Sequence, residues 1–143
     1  MTLDIRISKS TDRDFLYLTG LLDEDLNKRY QELQKSYDKH NRTDNIKQAV
    51  ILYDGEVPIA CGAYKEHRAD SVELKRIFVR QEYRGQGLSK LLVRELESLA
   101  KADGYRAAFL ETGRKQQEAI SLYEKSGYHT YTRAYRKLAY GIA

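Results

Sequence analysis

A chain of 143 residues, 41% hydrophobic and 32% charged, can bury one proper core and carries too much charge for a membrane-embedded polypeptide and too many apolar residues for a disordered one. Its net charge of +4 and pI near 9.1 suit an anionic ligand and fall well short of a nucleic-acid-binding tail. No repeat, low-complexity tract or Pro/Gly/Ser linker divides it, so residues 1–143 read as a single domain.

The opening MTLDIRISKS alternates apolar and polar residues, with Leu3, Ile5 and Ile7 on one face. That pattern predicts a strand, not the basic start and apolar stretch of a signal peptide, and a cytoplasmic location is expected. STDRDFLYLTGLLDEDL places Phe15, Leu18 and Leu22 at helical spacing, and Thr11 three residues before Asp14 predicts a capping-box-like start. A second, polar helix is predicted over KRYQELQKSYDK, ended by the hydrophilic HNRTDN.

QAVILYDGEVPIACGAYKE predicts a hairpin turning on Asp54-Gly55, a pair suited to a two-residue primed turn. Within it Cys61, the single cysteine, excludes an internal disulfide, and its apolar setting favours a buried structural thiol over a nucleophile. No zinc pattern exists, and no metal is expected.

SVELKRIFV predicts another strand, and beyond the loop RQEYRGQGLS a helix carries the stripe Leu88, Leu91, Leu92, Leu96 and Leu99. GYRAAFLET returns to strand, residues 116–126 form an amphipathic helix, and YHTYTRAYRKLAY supplies the final strands. Strands mixed with helices in this order predict an α/β or α+β domain with helices on the faces of a sheet.

Two details point to chemistry. Val72 and Leu74 share one parity and Ile77 and Val79 the other, so a regular strand cannot bury both pairs on one face. Either the strand is central and buried on both faces, or a β-bulge separates the pairs and frees ladder N–H and C=O groups for a ligand that carries amides. The second detail is the loop. Gly85 and Gly87 allow close approach, the N–H groups of Gln86, Gly87, Ser89 and Lys90 converge at a helix N-terminus, and Arg84 adds charge, an arrangement suited to a phosphate or pyrophosphate. Neither G-x-x-x-x-G-K-[ST] nor G-x-G-x-x-G is present.

VELKRIFVRQEYRGQGLSKLLV, followed by LETGRKQQEAISLYEKSGY, resembles the GNAT superfamily of acetyl-coenzyme A dependent N-acetyltransferases, in particular its small bacterial-type members. The likeness is dense over residues 72–128 and looser over the hairpin and first helix. It implies a mixed, mostly antiparallel central sheet of about six or seven strands flanked by about four helices. Strands four and five, here residues 71–79 and 105–111, would splay apart around the pantetheine arm.

The family's pyrophosphate pattern Q/R-x-x-G-x-G/A falls on Arg84, Gly87 and Ser89, with serine in the last place. By the same resemblance Gly85, Gln86, Leu88 and Lys90 join the coenzyme site, Ile77, Phe78 and Val79 offer main-chain groups from a bulged fourth strand, and Gln116 contacts the pantetheine arm.

The implied reaction is acetyl transfer from acetyl-coenzyme A to a primary amine, on a small molecule or a peptide, by direct attack in a ternary complex. Glu73 resembles the family's general base and Tyr123 the acid near the sulfur. The alternatives are plain ones. Glu73 could be an exposed strand residue paired with Lys75 or Arg76, Tyr123 a core aromatic beside Ala119 and Ile120, and Gln116 a polar helix start. Glu111 and Thr112 could line the slot or end a strand.

Asp23, Glu24 and Asp25 close the predicted first helix near where relatives admit substrate, so they either attract a cationic amine or form a solvated terminus. His40, His67 and His129 read as solvated surface residues. A non-catalytic acyl-coenzyme A sensor would share every binding feature. An RNA-binding reading of the tyrosines and basic residues near the C-terminus is weaker, because acids are interleaved throughout; neither nucleic acid nor membrane is an expected partner. The short last strand leaves room for a partner chain, and a homodimer is possible.

Overall fold

The computed structural model describes residues 1–30, 45–110, 129–130 and 137–138. In chain order its elements are β1 (Leu3–Ser8), α1 (Arg13–Tyr30), β2 (Ile46–Asp54), β3 (Val57–Arg68), β4 (Ser71–Val79), a 3-10 turn (Gln81–Tyr83), α2 (Leu88–Ala102), β5 (Ala107–Leu110) and two short strands, β6 (His129–Thr130) and β7 (Lys137–Leu138). Strand order across the sheet is β1-β2-β3-β4-β5-β7-β6. Every pairing is antiparallel except β4 with β5, which α2 joins as a βαβ crossover. The α+β class is therefore what the sequence predicts. The predicted helix at residues 116–126 lies outside the described residues.

Three local expectations change. The chain does not break near Asn27, so α1 runs on to Tyr30 and takes in the start of the predicted second helix; the rest of that helix lies outside the described residues. The cap of α1 is Asp12, not Thr11. Its Oδ1 accepts from the N–H of Asp14 and Phe15 at 2.8 and 3.4 Å, while the Ser8 hydroxyl donates to its Oδ2 at 2.6 Å and holds the carboxyl below its usual range. The hairpin turns on Gly55-Glu56, since Asp54 already pairs with Val57; Gly55 takes φ +60 at the first central position, as a II′ turn requires.

The two helices cover opposite faces of the sheet. Leu92 and Leu96 of α2 pack onto Val50, Leu52, Ile59, Tyr64, Val72, Leu74 and Val79, with Ile77 against them. Phe15 and Leu18 of α1 pack onto Ile51, Cys61, Ala63 and Phe78. Val72, Leu74, Ile77 and Val79 thus share the α2 face despite their broken parity. The break is a bulge: Ala63 pairs with Lys75 and Cys61 with Phe78, so Arg76 and Ile77 together oppose Gly62. Arg76 takes φ +60, and Gly62 makes room, because a Cβ there would stand 2.9 Å from Leu96 Cδ1 and 3.3 Å from Ile77 Cγ1.

Arg76 is buried, and its guanidinium crosses to α1. Its two terminal nitrogens meet the Asp23 carboxylate at 2.9 and 3.0 Å, and Nη2 also donates to Thr19 O at 3.1 Å. The Cys61 thiol donates to Arg76 O at 3.4 Å. Burial pushes that thiol up to about 12, so Cys61 is the structural thiol the sequence predicts.

This clamp has an uneven cost of removal. Asp23→Ala strands a buried guanidinium and is expected to lower urea-unfolding stability by about 2 kcal/mol, discounted from the fully buried case because Asp23 is 42% exposed. Arg76→Met leaves only a solvent-facing carboxylate and should cost less. Equal losses from the two variants would show that the pair contributes no clamp.

Candidate functional site

Three features meet along one edge of β4. The first is the strand's main chain. Arg80 N–H donates to Ile59 O at 2.9 Å, so Arg80 is turned to β3 and Val79, its neighbour, is turned away. Strand alternation turns Ile77 the same way as Val79, and Phe78 back toward β3. On that far side β5 pairs only with Ser71, Val72 and Glu73; among the described residues β4 has no β5 partner from Leu74 onward.

The second feature is the turn after β4. Gly85 and Gly87 take φ +81 and +79, conformations that side chains resist, and among the described residues nothing lies within 4 Å of a Cβ built at either. Neither glycine is there to fit against protein. Gly87 caps α2 without any side-chain hydrogen bond, and the first helix-closing bond runs from Leu91 N–H to Gly87 O. The N–H groups of Leu88, Ser89 and Lys90 consequently have no acceptor within α2, and the positive end of the helix dipole adds to them. Gln86, Gly87 and Lys90 are exposed and Ser89 is half-buried, whereas the Leu88 side chain is in the core, which leaves only its N–H for a ligand. An anion fits here.

The third feature is Arg84, the charge that the sequence places beside the loop. Here its Nε donates to Val79 O at 2.9 Å, its guanidinium lies 5.7 Å from the centre of the Phe78 ring, and Nη2 approaches Asp25 at 3.7 Å. Asp25 and Asp23 therefore sit in mid-helix facing basic partners, not at a helix end. No local pattern signals this, because both arginines lie more than fifty residues downstream in β4 and the turn after it.

Glu73 stands at the other end of the open stretch, six residues from Val79, roughly 20 Å along the strand. Its side chain is mostly buried, with Lys75 Nζ at 3.8 Å and Lys65 Nζ at 4.0 Å. Arg76, the other partner weighed for it, is engaged with Asp23. His67 is half-buried against Phe109, with ring centres 4.8 Å apart, and is not the solvated residue expected. Gln116, Tyr123, Glu111, Thr112 and His40 lie outside the described residues, as does the side chain of His129. Among the described residues no group of three or more His, Cys, Asp or Glu is placed to hold a metal, and no helix is long and apolar enough to cross a membrane.

A βαβ unit whose open strand edge leads into a glycine turn and a bare helix N-terminus defines the core of this α+β domain. The sequence pattern of the acetyltransferase (GNAT) family matches residues 15–128, and the chain belongs to that family. Human N-acetyltransferase 8 is 34% identical over 79 residues, 55% of this chain and 34% of that protein. Rat N-acetyltransferase family 8 member 2 is 42% identical over 57 residues, 40% of this chain and 25% of that protein. The chain thus matches about a third or less of the length of these relatives.

Among solved structures, the PaiA N-acetyltransferase of Thermoplasma acidophilum in complex with coenzyme A superposes with a TM-score of 0.75 at 20% identity, covering 96% of this chain and 97% of that one. A GNAT acetyltransferase of Elizabethkingia anophelis with acetyl-coenzyme A bound gives 0.69 at 19% identity, over 92% and 78%. These two likenesses establish the fold.

The helix N-terminus can be tested on its own. Gly87→Val adds a β-branched side chain at φ +79, a local strain of about 1–2 kcal/mol, and covers the N–H groups. The variant is expected to fold and to bind coenzyme A at least about tenfold more weakly in calorimetry, the loss of one or two hydrogen bonds to a charged group. Unchanged affinity in the folded variant would remove the loop from the site.

Proposed function

We propose that this chain transfers an acetyl group from acetyl-coenzyme A to a primary amine by direct attack in a ternary complex, the acceptor being a small molecule or a peptide. The observation that carries the reading is the outward turn of Ile77 and Val79 in line with the bare N-terminus of α2: one offers amide-binding groups along a strand and the other a pyrophosphate site at its end. The open spaces beside Gly85 and Gly87 fit that group. In full, the reading takes in about four helices, six or seven strands, a splay between β4 and β5, and a cytoplasmic setting.

Acetyl-coenzyme A supplies an activated thioester. The amine nitrogen forms the new C–N bond as the C–S bond breaks, one proton leaves the amine, and one reaches the departing sulfur. In this reading Gln86, Gly87, Leu88, Ser89 and Lys90 bind phosphate through N–H groups, and Ile77 and Val79 hold the amide arm. Gly85 gives access, and Gln116 meets the arm from the following helix. Arg84 braces the turn against β4 and α1 through the contacts seen here and turns its remaining donors to phosphate. Glu73 takes the amine proton, directly or through water, and Tyr123 supplies the proton to sulfur.

A second reading, acyl-coenzyme A binding without turnover, draws on one observation: Glu73 already faces two ammonium groups.

A pH–rate profile on one good acceptor separates the two. Glu73→Gln should lower kcat about 10²-fold near neutral pH and recover part of the rate as pH rises, because more of the amine is then already deprotonated. Tyr123→Phe should lower kcat by a similar factor across the range with acetyl-coenzyme A affinity nearly unchanged. Wild-type turnover in Glu73→Gln would return Glu73 to ion pairing, and wild-type turnover in Tyr123→Phe would return the tyrosine to packing. Coenzyme A binding with no thiol release from any amine would establish the sensor.

A further inference from the structure

We propose that β1 is a homodimer seam, through which two copies of this chain pair antiparallel about a two-fold axis at Ile5 and join their sheets edge to edge. Among the described residues β1 is the outer strand and pairs with β2 alone. Gly55 N–H donates to Thr2 O at 2.8 Å, which fixes the alternation. Thr2, Asp4 and Arg6 turn their main-chain groups to β2, and Leu3, Ile5 and Ile7 turn theirs outward. Outward N–H and C=O groups on an edge strand are a template for another strand.

The side chains are unsatisfied on the same strand. Ile5 and Ile7 stand opposite Leu52 and Val50, which belong to the core under α2 and are fully buried. Leu3, Ile5 and Ile7 continue that apolar face past the reach of α2 and are 39%, 38% and 62% exposed.

A second copy is the occupant because the strand LDIRI is its own complement. With the axis at Ile5, Leu3 faces Ile7 of the partner subunit, and Ile5 faces Ile5 of the partner subunit. Asp4 then faces Arg6 of the partner subunit, and Arg6 faces Asp4 of the partner subunit. All the outward residues meet outward residues, so their main-chain groups form ladder bonds, and opposite charges meet across the seam. A slip of one residue sets outward groups against inward ones. A slip of two sets aspartate against aspartate or arginine against arginine. The charges are already held in place, since Arg6 Nε bonds Asp4 at 2.7 Å and the guanidinium lies 4.2 Å above the Tyr53 ring.

Sedimentation velocity of the purified full chain at low salt tests the seam. The wild-type chain is expected to form a dimer that weakens as salt rises. Asp4→Arg and Arg6→Asp, each alone, should raise the dimer dissociation constant about tenfold or more, and the double exchange should restore it. Ile5→Cys should also give a disulfide-linked dimer on mild oxidation, because Cys61 is buried and hydrogen-bonded strand pairs lie within disulfide reach. A chain that stays monomeric, as one whose β1 instead takes a strand from a different protein would, overturns the proposal. So does a dimer that both single reversals leave intact.

Discussion

The buried contact of Arg76 with Asp23 and the Thr19 carbonyl is the constraint on which the rest of the site depends. A residue at φ +60 in the middle of a strand is strained, and it persists only where the surroundings hold it. Here they hold it from both sides: the guanidinium is tied to α1, the carbonyl accepts from Cys61, and Gly62 yields the space into which Ile77 packs. With the extra residue fixed, Val72, Leu74, Ile77 and Val79 all reach the α2 face. The main chain of Ile77 and Val79 is left turned to the side where, among the described residues, β5 offers no ladder.

The same helix supports the anion end. Asp23 and Asp25 are two residues apart on α1; one meets the bulge and the other approaches Arg84, whose Nε bonds the last carbonyl of β4. Two charge contacts from adjacent stretches of α1 therefore register the strand edge and the glycine turn against each other. The contact at Arg84 is the weaker, at 3.7 Å between groups each more than one-third exposed, and it adds little stability. Its effect is to orient the arginine. In the proposed reading the helix dipole and the N–H groups of α2 meet the anion directly, Arg84 turns to the same end, and Gly85 and Gly87 leave the approach open.

What was legible in the sequence follows the range of the interaction that sets it. The stripe Leu88, Leu92 and Leu96, the alternation of β1 and the broken parity of β4 are periodic signals, and each placed its element on the correct face. The broken parity left a bulge and a strand buried on both faces as alternatives; the bulge is what forms, within the Leu74–Ile77 interval. Errors arose where one residue's shift matters: the hairpin turned at Gly55-Glu56, and the cap fell on Asp12, whose carboxylate reaches two N–H groups of the first turn. The charges were least legible. Nothing local to Asp23 or Asp25 indicates an arginine more than fifty residues away, and nothing local to Glu73 indicates that Lys65 will lie beside it. Tyr123 and Gln116 rest on the resemblance alone.

In the proposed reading a clamped bulge turns the edge of β4 toward a long anionic ligand anchored at α2. A titration of the isotopically labelled chain with coenzyme A, followed amide by amide, tests it most directly. The largest shifts are expected at Ile77, Val79, Leu88, Ser89 and Lys90, with the β1 amides unmoved. Saturable binding that shifts other amides and leaves Ile77, Val79 and the first turn of α2 in place would contradict it.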